Sequence, residues 1–341
     1  MRVAVYHSND DVRLEDRPRP VAGAGELLLR VKASGICGSD VMEWYRKPRA
    51  PLVLGHEVAG VVEVAGAGVT NFRPGDRVVT THHVPCNRCR YCLTDRHSVC
   101  DTLRTTSFDP GGFAEFLRVP AINVERGTFP LPDGVTFEEG SFVEPLACAV
   151  RAQRLVGLRP GDSVAVLGSG ISGLLQLRLA RAAGAGRVSA TDVSDYRVQA
   201  ARRLGADLAL TVDADTNTRI REANGGRGAD RVLVCTAAPA AQRQALDLVD
   251  RGGTVLFFAP LAPGETLPFD MHDLWKRGVS IVHSYAGPPA DMLTALELIA
   301  SGRVDVAPLV THRLGLAETA RGFRLTAAAT ESLKVIVEPD R

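Results

Sequence analysis

A glycine-rich turn between a buried strand and a helix constrains this 341-residue chain more than any other feature. The apolar run Ser163–Leu167 leads directly into Gly168-Ser-Gly170-Ile171-Ser172-Gly173, and helical spacing continues to Ala183. Such glycines permit a tight turn, a close approach of the backbone to a pyrophosphate, and close packing of helix on strand. Free N–H groups at the start of the helix favour an anion at the same place. The pattern therefore predicts a βαβ unit that binds a dinucleotide, and it disfavours an ordinary glycine-rich turn.

An acidic residue in the same segment indicates which dinucleotide is bound. Asp192 follows the next predicted strand, Arg187–Thr191. A carboxylate there accepts hydrogen bonds from the ribose hydroxyls and repels a 2′-phosphate, which favours NAD over NADP. We expect the cofactor to contact Gly168, Gly170, Ile171, Ser172, Gly173, Asp192 and Arg197.

The chain changes character near residue 147. Before it, short β-like runs such as Leu27–Ala33, Val58–Ala65 and Arg77–Thr81 are separated by Gly and Pro, which predicts a small β-barrel or folded antiparallel sheet. After it, strand and helix patterns alternate, which predicts a parallel sheet. At roughly 150 residues per domain, this length suggests two domains. The fold class is therefore α/β.

Charge and hydropathy exclude several classes of partner. Lys+Arg is 40 and Asp+Glu is 39, so the chain lacks the basic excess of a general nucleic-acid binder. No apolar run reaches the roughly 18–20 residues of a membrane span. The N-terminus has no basic-then-apolar signal pattern, so we expect a cytoplasmic location.

Four of the seven cysteines crowd into one segment, Cys86-x2-Cys89-x2-Cys92-x7-Cys100. Without an export signal, this crowding indicates metal ligation rather than disulfides. Four thiolates make a closed tetrahedral site, which suits structural zinc, and an iron–sulfur site is the alternative. His82, His83 and His97 lie nearby in sequence, and we expect them to be surface or loop residues rather than ligands.

Three other segments carry the ligand types of a catalytic metal site: Gly35-Ile-Cys37-Gly-Ser39-Asp40, Gly55-His56-Glu57 and Glu144-Pro-Leu. A thiol, an imidazole and a carboxylate together leave a position for water or substrate, as catalytic zinc requires. Taken singly, each has an ordinary explanation. Cys37 could be a core thiol, His56 a turn histidine and Glu144 a carboxylate at the start of a helix.

In combination, these segments make the chain resemble the zinc-dependent medium-chain dehydrogenases, particularly the sorbitol/polyol and L-threonine dehydrogenase branch. The matching motifs are Gly55-His56-Glu57-x2-Gly60-x5-Gly66-x2-Val69, the segment from Cys37 to Asp40, the four-cysteine segment, Gly112-Phe-Ala-Glu115, and the entry Gly161–Gly168. The resemblance implies a GroES-like β-barrel catalytic domain over 1–147 and 288–341, with a structural zinc lobe at about 86–100. It also implies a doubly wound, parallel-sheet Rossmann domain over 148–287.

The resemblance further implies two zinc ions per chain, NAD, and a homotetramer or homodimer. Cys86, Cys89, Cys92 and Cys100 would bind the structural zinc. Cys37 and His56 would bind the catalytic zinc, with either Glu57 or Glu144 as the direct third ligand. Ser39 would take the proton from the zinc-bound hydroxyl, and Asp40 would orient neighbouring groups such as His56.

The implied reaction is hydride transfer from a secondary alcohol to NAD, which gives a ketone, with a polyol or sugar alcohol as first choice. L-Threonine and a secondary alcohol or diol such as butanediol are alternatives. A non-catalytic NAD-binding scaffold is a remoter one, because Met42 stands where many relatives carry a proton-relaying His. In such a site, either the cofactor ribose would hand its proton directly to water, or Glu43 or another group would replace the relay. Trp44 and Tyr45 either wall the substrate site or pack under their loop, and Arg46, Lys47 and Arg49 are possible cations for an amino-acid carboxylate.

Overall fold

Short strands dominate the N-terminal part of the chain, as the runs separated by Gly and Pro predicted. The structure is a computed structural model that describes residues 1–341. The strands here are β1 (Arg2–Ser8), β2 (Asp11–Asp16), β3 (Leu27–Gly35), β4 (Leu52–Val53), β5 (Glu57–Ala65), β6 (Arg77–Thr81), β7 (Phe116–Val119) and β8 (Thr128–Pro130). The helices are α1 (Glu43–Arg46), α2 (Asp101–Thr105), α3 (Ala121–Gly127), α4 (Phe137–Ser141) and α5 (Val143–Leu155).

Strand and helix then alternate, as predicted. The elements are β9 (Ser163–Leu167), α6 (Ile171–Ala182), β10 (Arg187–Asp192), α7 (Asp195–Arg203), β11 (Leu208–Thr211), α8 (Thr216–Ala223), β12 (Ala229–Val234), α9 (Pro239–Leu248), β13 (Val249–Phe257), α10 (Met271–Arg277) and β14 (Ser280–His283). The six strands are all parallel, in the order β11-β10-β9-β12-β13-β14. This is the strand order of a doubly wound dinucleotide-binding sheet. Strand β9 at its centre is buried throughout, which explains its uninterrupted apolar sequence.

The chain ends with α11 (Pro289–Ala300), β15 (Val310–Gly315), α12 (Thr319–Ala328) and β16 (Lys334–Glu338). The last two strands join the N-terminal ones in a seven-stranded sheet of order β15-β16-β3-β5-β6-β8, with β7 also paired to β3. Strand β16 runs antiparallel to β3, with Ile336 opposite Gly35. Residues near the C-terminus are thereby placed beside the segment that precedes Cys37.

Two compact units result: Met1–Ala147 with Ala286–Arg341, and Cys148–Tyr285. The first has an apolar core that includes Tyr6, Phe113 and Phe323, and the core of the second includes Leu167 and Val232. None of the helices combines the length and the apolar character that crossing a membrane requires.

Candidate metal centres and cofactor site

The four crowded cysteines form one compact cluster between β6 and β7. The sulfurs of Cys86, Cys89, Cys92 and Cys100 all lie within 4.8 Å of one another. The Sγ–Sγ distance is 3.5 Å for Cys89–Cys92 and 3.9 Å for Cys86–Cys92. A tetrahedron with metal–sulfur bonds of about 2.3 Å has edges of about 3.8 Å. The cluster therefore fits a single ion, whereas an iron–sulfur cluster would hold its ligand sulfurs farther apart.

Backbone N–H groups prepare this cluster for a cation. The N–H of Cys89 donates to Cys86 Sγ at 3.3 Å, and the N–H of Cys86 donates to Cys100 Sγ at 3.4 Å. The N–H groups of Arg88 and Cys89 lower the pKa of Cys86 to about 6. Burial and the neighbouring thiols raise the pKa of Cys92 to about 12. Cys86 is thus mostly thiolate at neutral pH without metal, whereas Cys92 must lose its proton as the ion binds.

A second cluster joins the end of β3 to the start of β5. Cys37 lies two residues beyond β3, His56 immediately precedes β5, and Glu57 is the first residue of β5. Antiparallel pairing of the two strands sets Gly35 opposite Glu57. One ligand atom from each of Cys37, His56 and Glu57 lies within 4.8 Å of the others. These are zinc ligand types at separations that one ion can bridge. Glu144 is buried near the start of α5, and its role as a ligand stays a prediction.

A completely buried carboxylate orients the imidazole of this second cluster. Asp40 Oδ1 lies 3.4 Å from His56 Nδ1, which leaves Nε2 for a metal. The N–H of Cys37 donates to Asp40 Oδ2 at 3.1 Å. Burial opposes the charged imidazolium, but Asp40 and Cys37 outweigh it and raise the pKa of His56 well above its ordinary value. A metal ion would have to displace that proton.

Glu57 has a buried cationic partner that sequence reasoning missed. Lys334 Nζ contacts Glu57 Oε2, and the two side chains are 0% and 1% exposed. The same ammonium donates to the carbonyl of Ile36 at 3.2 Å and lies 5.7 Å from the ring centroid of Phe142. A Cβ at Gly35 would collide with Glu57 and Lys334. Glycine at position 35 is therefore required to make room for the ion pair.

Two half-buried histidines, His82 and His83, lie in the loop after β6, which agrees with the expectation that they are surface or loop residues, and His82 lies beside this cluster. The ring centroid of His82 lies 4.7 Å from that of His56 and 3.6 Å from that of His83. They follow β6, whose pairing with β5 sets Thr81 opposite Glu57. Burial, with smaller contributions from positively charged neighbours, lowers the pKa of His83 to about 3. The proximity of His82 to His56 follows from the register of β5 and β6, so spacing along the sequence could not predict it.

The structure shows the hydrogen-bond partners of Ser39 and Glu43, the two residues predicted to carry the proton. Ser39 Oγ donates to Cys37 Sγ at 3.4 Å and accepts a hydrogen bond from Arg46 Nη2 at 3.0 Å. Glu43, the candidate relay, accepts the N–H of Asn9 at 3.1 Å and pairs with Lys47 at 2.8 Å. Both of its oxygens are thus engaged by other groups, so the structure offers no support for Glu43 as a relay.

The glycine-rich turn of the second unit has the shape that a dinucleotide requires. Gly168 has a φ of +92°, which favours glycine, and a Cβ at Gly173 would collide with the carbonyl of Gly168. Asp192 is buried at the end of β10, where it accepts the N–H of Ser169 at 2.7 Å. Arg197 Nη1 lies 3.8 Å from Asp192. Gly168 and Gly173 thus form a tight strand-to-helix turn at the start of α6, with Asp192 beside it and the Arg197 guanidinium near Gly170.

Two family models match the chain: the alcohol dehydrogenase GroES-like domain over residues 23–133 and the zinc-binding dehydrogenase domain over residues 172–301. The sorbitol dehydrogenase of Gallus gallus is 33% identical over 98% of this chain and 96% of its own length. The chain belongs to the zinc-dependent medium-chain dehydrogenase family. This dehydrogenase is also 33% identical to the L-threonine 3-dehydrogenase of Bacillus velezensis, over 92% of this chain and 91% of that protein.

Solved structures agree with the fold and with the cofactor class. A zinc-binding dehydrogenase of Sinorhizobium meliloti 1021 bound to NADP has a TM-score of 0.87 and 29% identity, and covers 99% of both chains. The alcohol dehydrogenase rspB of Escherichia coli CFT073, complexed with NADH, has a TM-score of 0.88 and 25% identity, also over 99% of both chains. The predicted GroES-like and Rossmann folds are confirmed, and the match to a zinc-binding dehydrogenase model supports zinc as a cofactor of this dehydrogenase.

Proposed function

We propose that this dehydrogenase oxidises a secondary alcohol of the polyol or sugar-alcohol class to a ketone and transfers the hydride to NAD. The observation that carries the proposal is the convergence of Cys37 and His56, whose ligand atoms lie within 4.8 Å of each other and of a Glu57 carboxylate oxygen. A mixed set of this kind leaves a coordination position for a substrate oxygen, unlike the closed four-cysteine cluster. The 33% identity to a sorbitol dehydrogenase over nearly the whole chain supports the polyol class.

When bound in this site, zinc would supply a Lewis acid that lowers the pKa of the substrate hydroxyl and stabilises charge on its oxygen. Cys37 and His56 would hold the ion, while Asp40 keeps the imidazole oriented through the 3.4 Å contact with Nδ1. Ser39, whose hydroxyl lies 3.4 Å from Cys37 Sγ, would accept the hydroxyl proton. Met42 has no titratable group, and Glu43 is engaged elsewhere, so the proton would reach solvent without a histidine step.

Glu144 would supply the third protein ligand rather than Glu57. The buried ammonium of Lys334 is bonded to Glu57, which weakens that carboxylate as a metal ligand. Glu57 would then remain beneath the site as the partner of Lys334. Glu144 is likewise buried, at 7% exposure, and lies near the start of α5.

The partners of the cations that follow Ser39 favour an uncharged polyol over an amino acid as substrate. Recognition of an amino acid requires a cation that can bind its carboxylate. In the loop after Ser39, Arg46 bonds to Asp40 at 3.2 Å and Lys47 pairs with Glu43 at 2.8 Å. Arg49 stacks on the ring of Tyr45 at 4.8 Å. The cations proposed for an L-threonine carboxylate thus have partners already.

The proposal is tested with a panel of polyols, L-threonine and 2,3-butanediol, each with NAD and NADP, followed at the nicotinamide absorbance, together with zinc counting. We expect two zinc ions per chain and the highest kcat/KM for a polyol with NAD. One zinc ion per chain, NAD binding and no turnover of any alcohol would instead identify a non-catalytic scaffold.

Asp192→Gly tests the assignment of NAD within the same panel. Loss of hydrogen bonds from a charged group costs about 1.5–3 kcal/mol, so the preference for NAD over NADP should fall roughly 10-fold or more. Asp195→Asn, at an exposed position three residues later, is the matched control and should keep the wild-type preference. An unchanged preference in Asp192→Gly would show that another residue selects the cofactor.

A further inference from the structure

We infer that Arg46 is a positioning residue of the catalytic metal site. Its guanidinium orients the hydroxyl of Ser39 and the carboxylate of Asp40, and through Asp40 it orients the imidazole of His56. The inference rests on the proposed function and extends it to a residue that neither the sequence motifs nor the proposed mechanism includes.

Three hydrogen bonds connect Arg46 to the turn that follows Cys37. Nε donates to the carbonyl of Ser39 at 2.9 Å, and Nη2 donates to Ser39 Oγ at 3.0 Å and to Asp40 Oδ1 at 3.2 Å. The side chain is only 12% exposed, so water competes little for these bonds. Within the turn Gly38–Val41, the planar guanidinium thus binds the backbone carbonyl of Ser39 and the side chains of Ser39 and Asp40 at once. Only the forked guanidinium of an arginine provides this geometry.

The link to the metal ligand runs through a single carboxylate oxygen. Asp40 Oδ1 receives Arg46 Nη2 at 3.2 Å and faces His56 Nδ1 at 3.4 Å, while Oδ2 accepts the N–H of Cys37. Asp40 is completely buried, so its rotation is set by these three contacts. Without the guanidinium, the carboxylate would keep only one N–H bond besides its contact with the imidazole. The direction of Nε2 toward an ion would then be less well defined.

Arg46 also determines where the hydroxyl of Ser39 points. Because Nη2 donates into the oxygen of Ser39, the hydroxyl hydrogen must point elsewhere, and it is directed at Cys37 Sγ at 3.4 Å. The side chain at position 42 is the apolar Met42, so it supplies no hydrogen bond to this serine. Arg46 therefore fixes the orientation of the group proposed to receive the substrate proton.

The chain offers a matched control three residues away. Arg46 and Arg49 stack on the same ring, that of Tyr45, at 4.7 and 4.8 Å. Arg49 is exposed and reaches the hydroxyl of Tyr45 at 3.5 Å, whereas Arg46 also reaches Ser39 and Asp40. Arg46→Gln and Arg49→Gln remove the same charge and a similar stacking contact, and only the first removes the bonds to the turn.

The experiment measures the affinity of each variant for its two zinc ions by competition with a chelating dye, and kcat and KM with the best alcohol of the panel. In Arg46→Gln we expect one of the two zinc ions to bind about 10–100-fold more weakly. We also expect kcat to fall with little change in KM, because substrate contacts are retained. Arg49→Gln should match the wild type in both measurements.

Arg46→Lys distinguishes a positioning role from a simple effect of charge. It also replaces Arg46→Gln in the experiment if that variant does not fold. Lysine keeps the positive charge beside Asp40 but cannot span all three acceptors, so zinc affinity and kcat should still fall. If a folded Arg46 variant has the zinc affinity and kcat of the wild type, the inference about Arg46 is overturned and the proposed function still stands. A wild-type protein with one zinc ion and no alcohol turnover would overturn the proposed function, and the inference with it.

Discussion

The two candidate metal clusters of this dehydrogenase are built in opposite ways. The four-cysteine cluster comes from one short segment, and backbone N–H groups of that segment support its sulfurs. The second cluster takes Cys37 and His56 from segments that only the pairing of β3 with β5 brings together. Side chains from elsewhere in the fold, such as Lys334, then support it. A local cluster can be recognised from spacing, whereas an assembled cluster depends on strand register.

Removing one ligand from each cluster should have the largest effects. In one cluster the loss should lower activity, and in the other it should lower stability. Cys37→Ala should lose one zinc ion and lower kcat/KM by at least about 10³-fold, roughly 4 kcal/mol, because the substrate site is lost. Cys100→Ala should lose the other zinc ion and mainly lower the unfolding temperature, because closed zinc sites stabilise the fold. Metal analysis, kinetics and thermal unfolding measure these effects.

Cys235→Ala is the cysteine control for this pair, because Cys235 lies in the second unit and belongs to neither cluster. It should retain two zinc ions and wild-type kinetics. The distinction between a stabilising and a catalytic cluster would be wrong if Cys37→Ala kept both zinc ions and full activity.

The buried ion pair beneath the assembled cluster should give the next largest effect. Lys334→Met leaves Glu57 buried without its cation, which should lower the free energy of unfolding by about 3–5 kcal/mol. The double variant Glu57→Gln/Lys334→Met removes both charges and should recover most of this loss. Urea unfolding measures both variants, and equal destabilisation in the single and double variants would contradict the assigned role of the pair.

The same double variant helps to identify the third metal ligand. If Glu144 binds the ion, Glu144→Gln should lower the affinity for one zinc ion by about 100-fold or more. Residues that only support a ligand typically change metal affinity by about 10–100-fold. Glu57→Gln/Lys334→Met should lower the affinity for this zinc ion by a smaller factor. Chelator competition measures both, and the reverse order of affinities would assign the ligand to Glu57.

The smallest expected effect concerns the ionisation of the thiols in the four-cysteine cluster before metal binds. In zinc-free protein, Cys86 has a pKa lowered to about 6, so it is mostly thiolate above pH 6, while the pKa of Cys92 is raised to about 12. Thiolates react with iodoacetamide and thiols do not. Mass spectrometry should find Cys86 labelled much faster than Cys92 at pH 7, with a half-maximal rate near pH 6 and protection by added zinc. Equal labelling rates would show that the N–H groups do not prepare the cluster.

Sequence reasoning reached the fold class, the parallel sheet and the ligand types because each leaves a pattern within a few residues of the chain. It expected His82 and His83 to be surface or loop residues, and they lie in the loop after β6, but it did not predict that His82 lies beside His56. It also missed the partner of Glu57, because Lys334 lies 277 residues away and β16 brings it next to β3. No spacing rule connects residues so distant, since their proximity follows from strand order and register.

From its amino acids alone, this chain reveals a dinucleotide-binding turn, a four-thiol cluster and the residue types of a second metal centre, because glycines and cysteines impose local geometry wherever they occur together. The fold alone decided that Asp40 faces His56, that Lys334 bonds to Glu57 and that Arg46 spans the turn after Cys37. Buried charges take their partners from whichever elements pack against them, and that packing is a property of the whole folded chain.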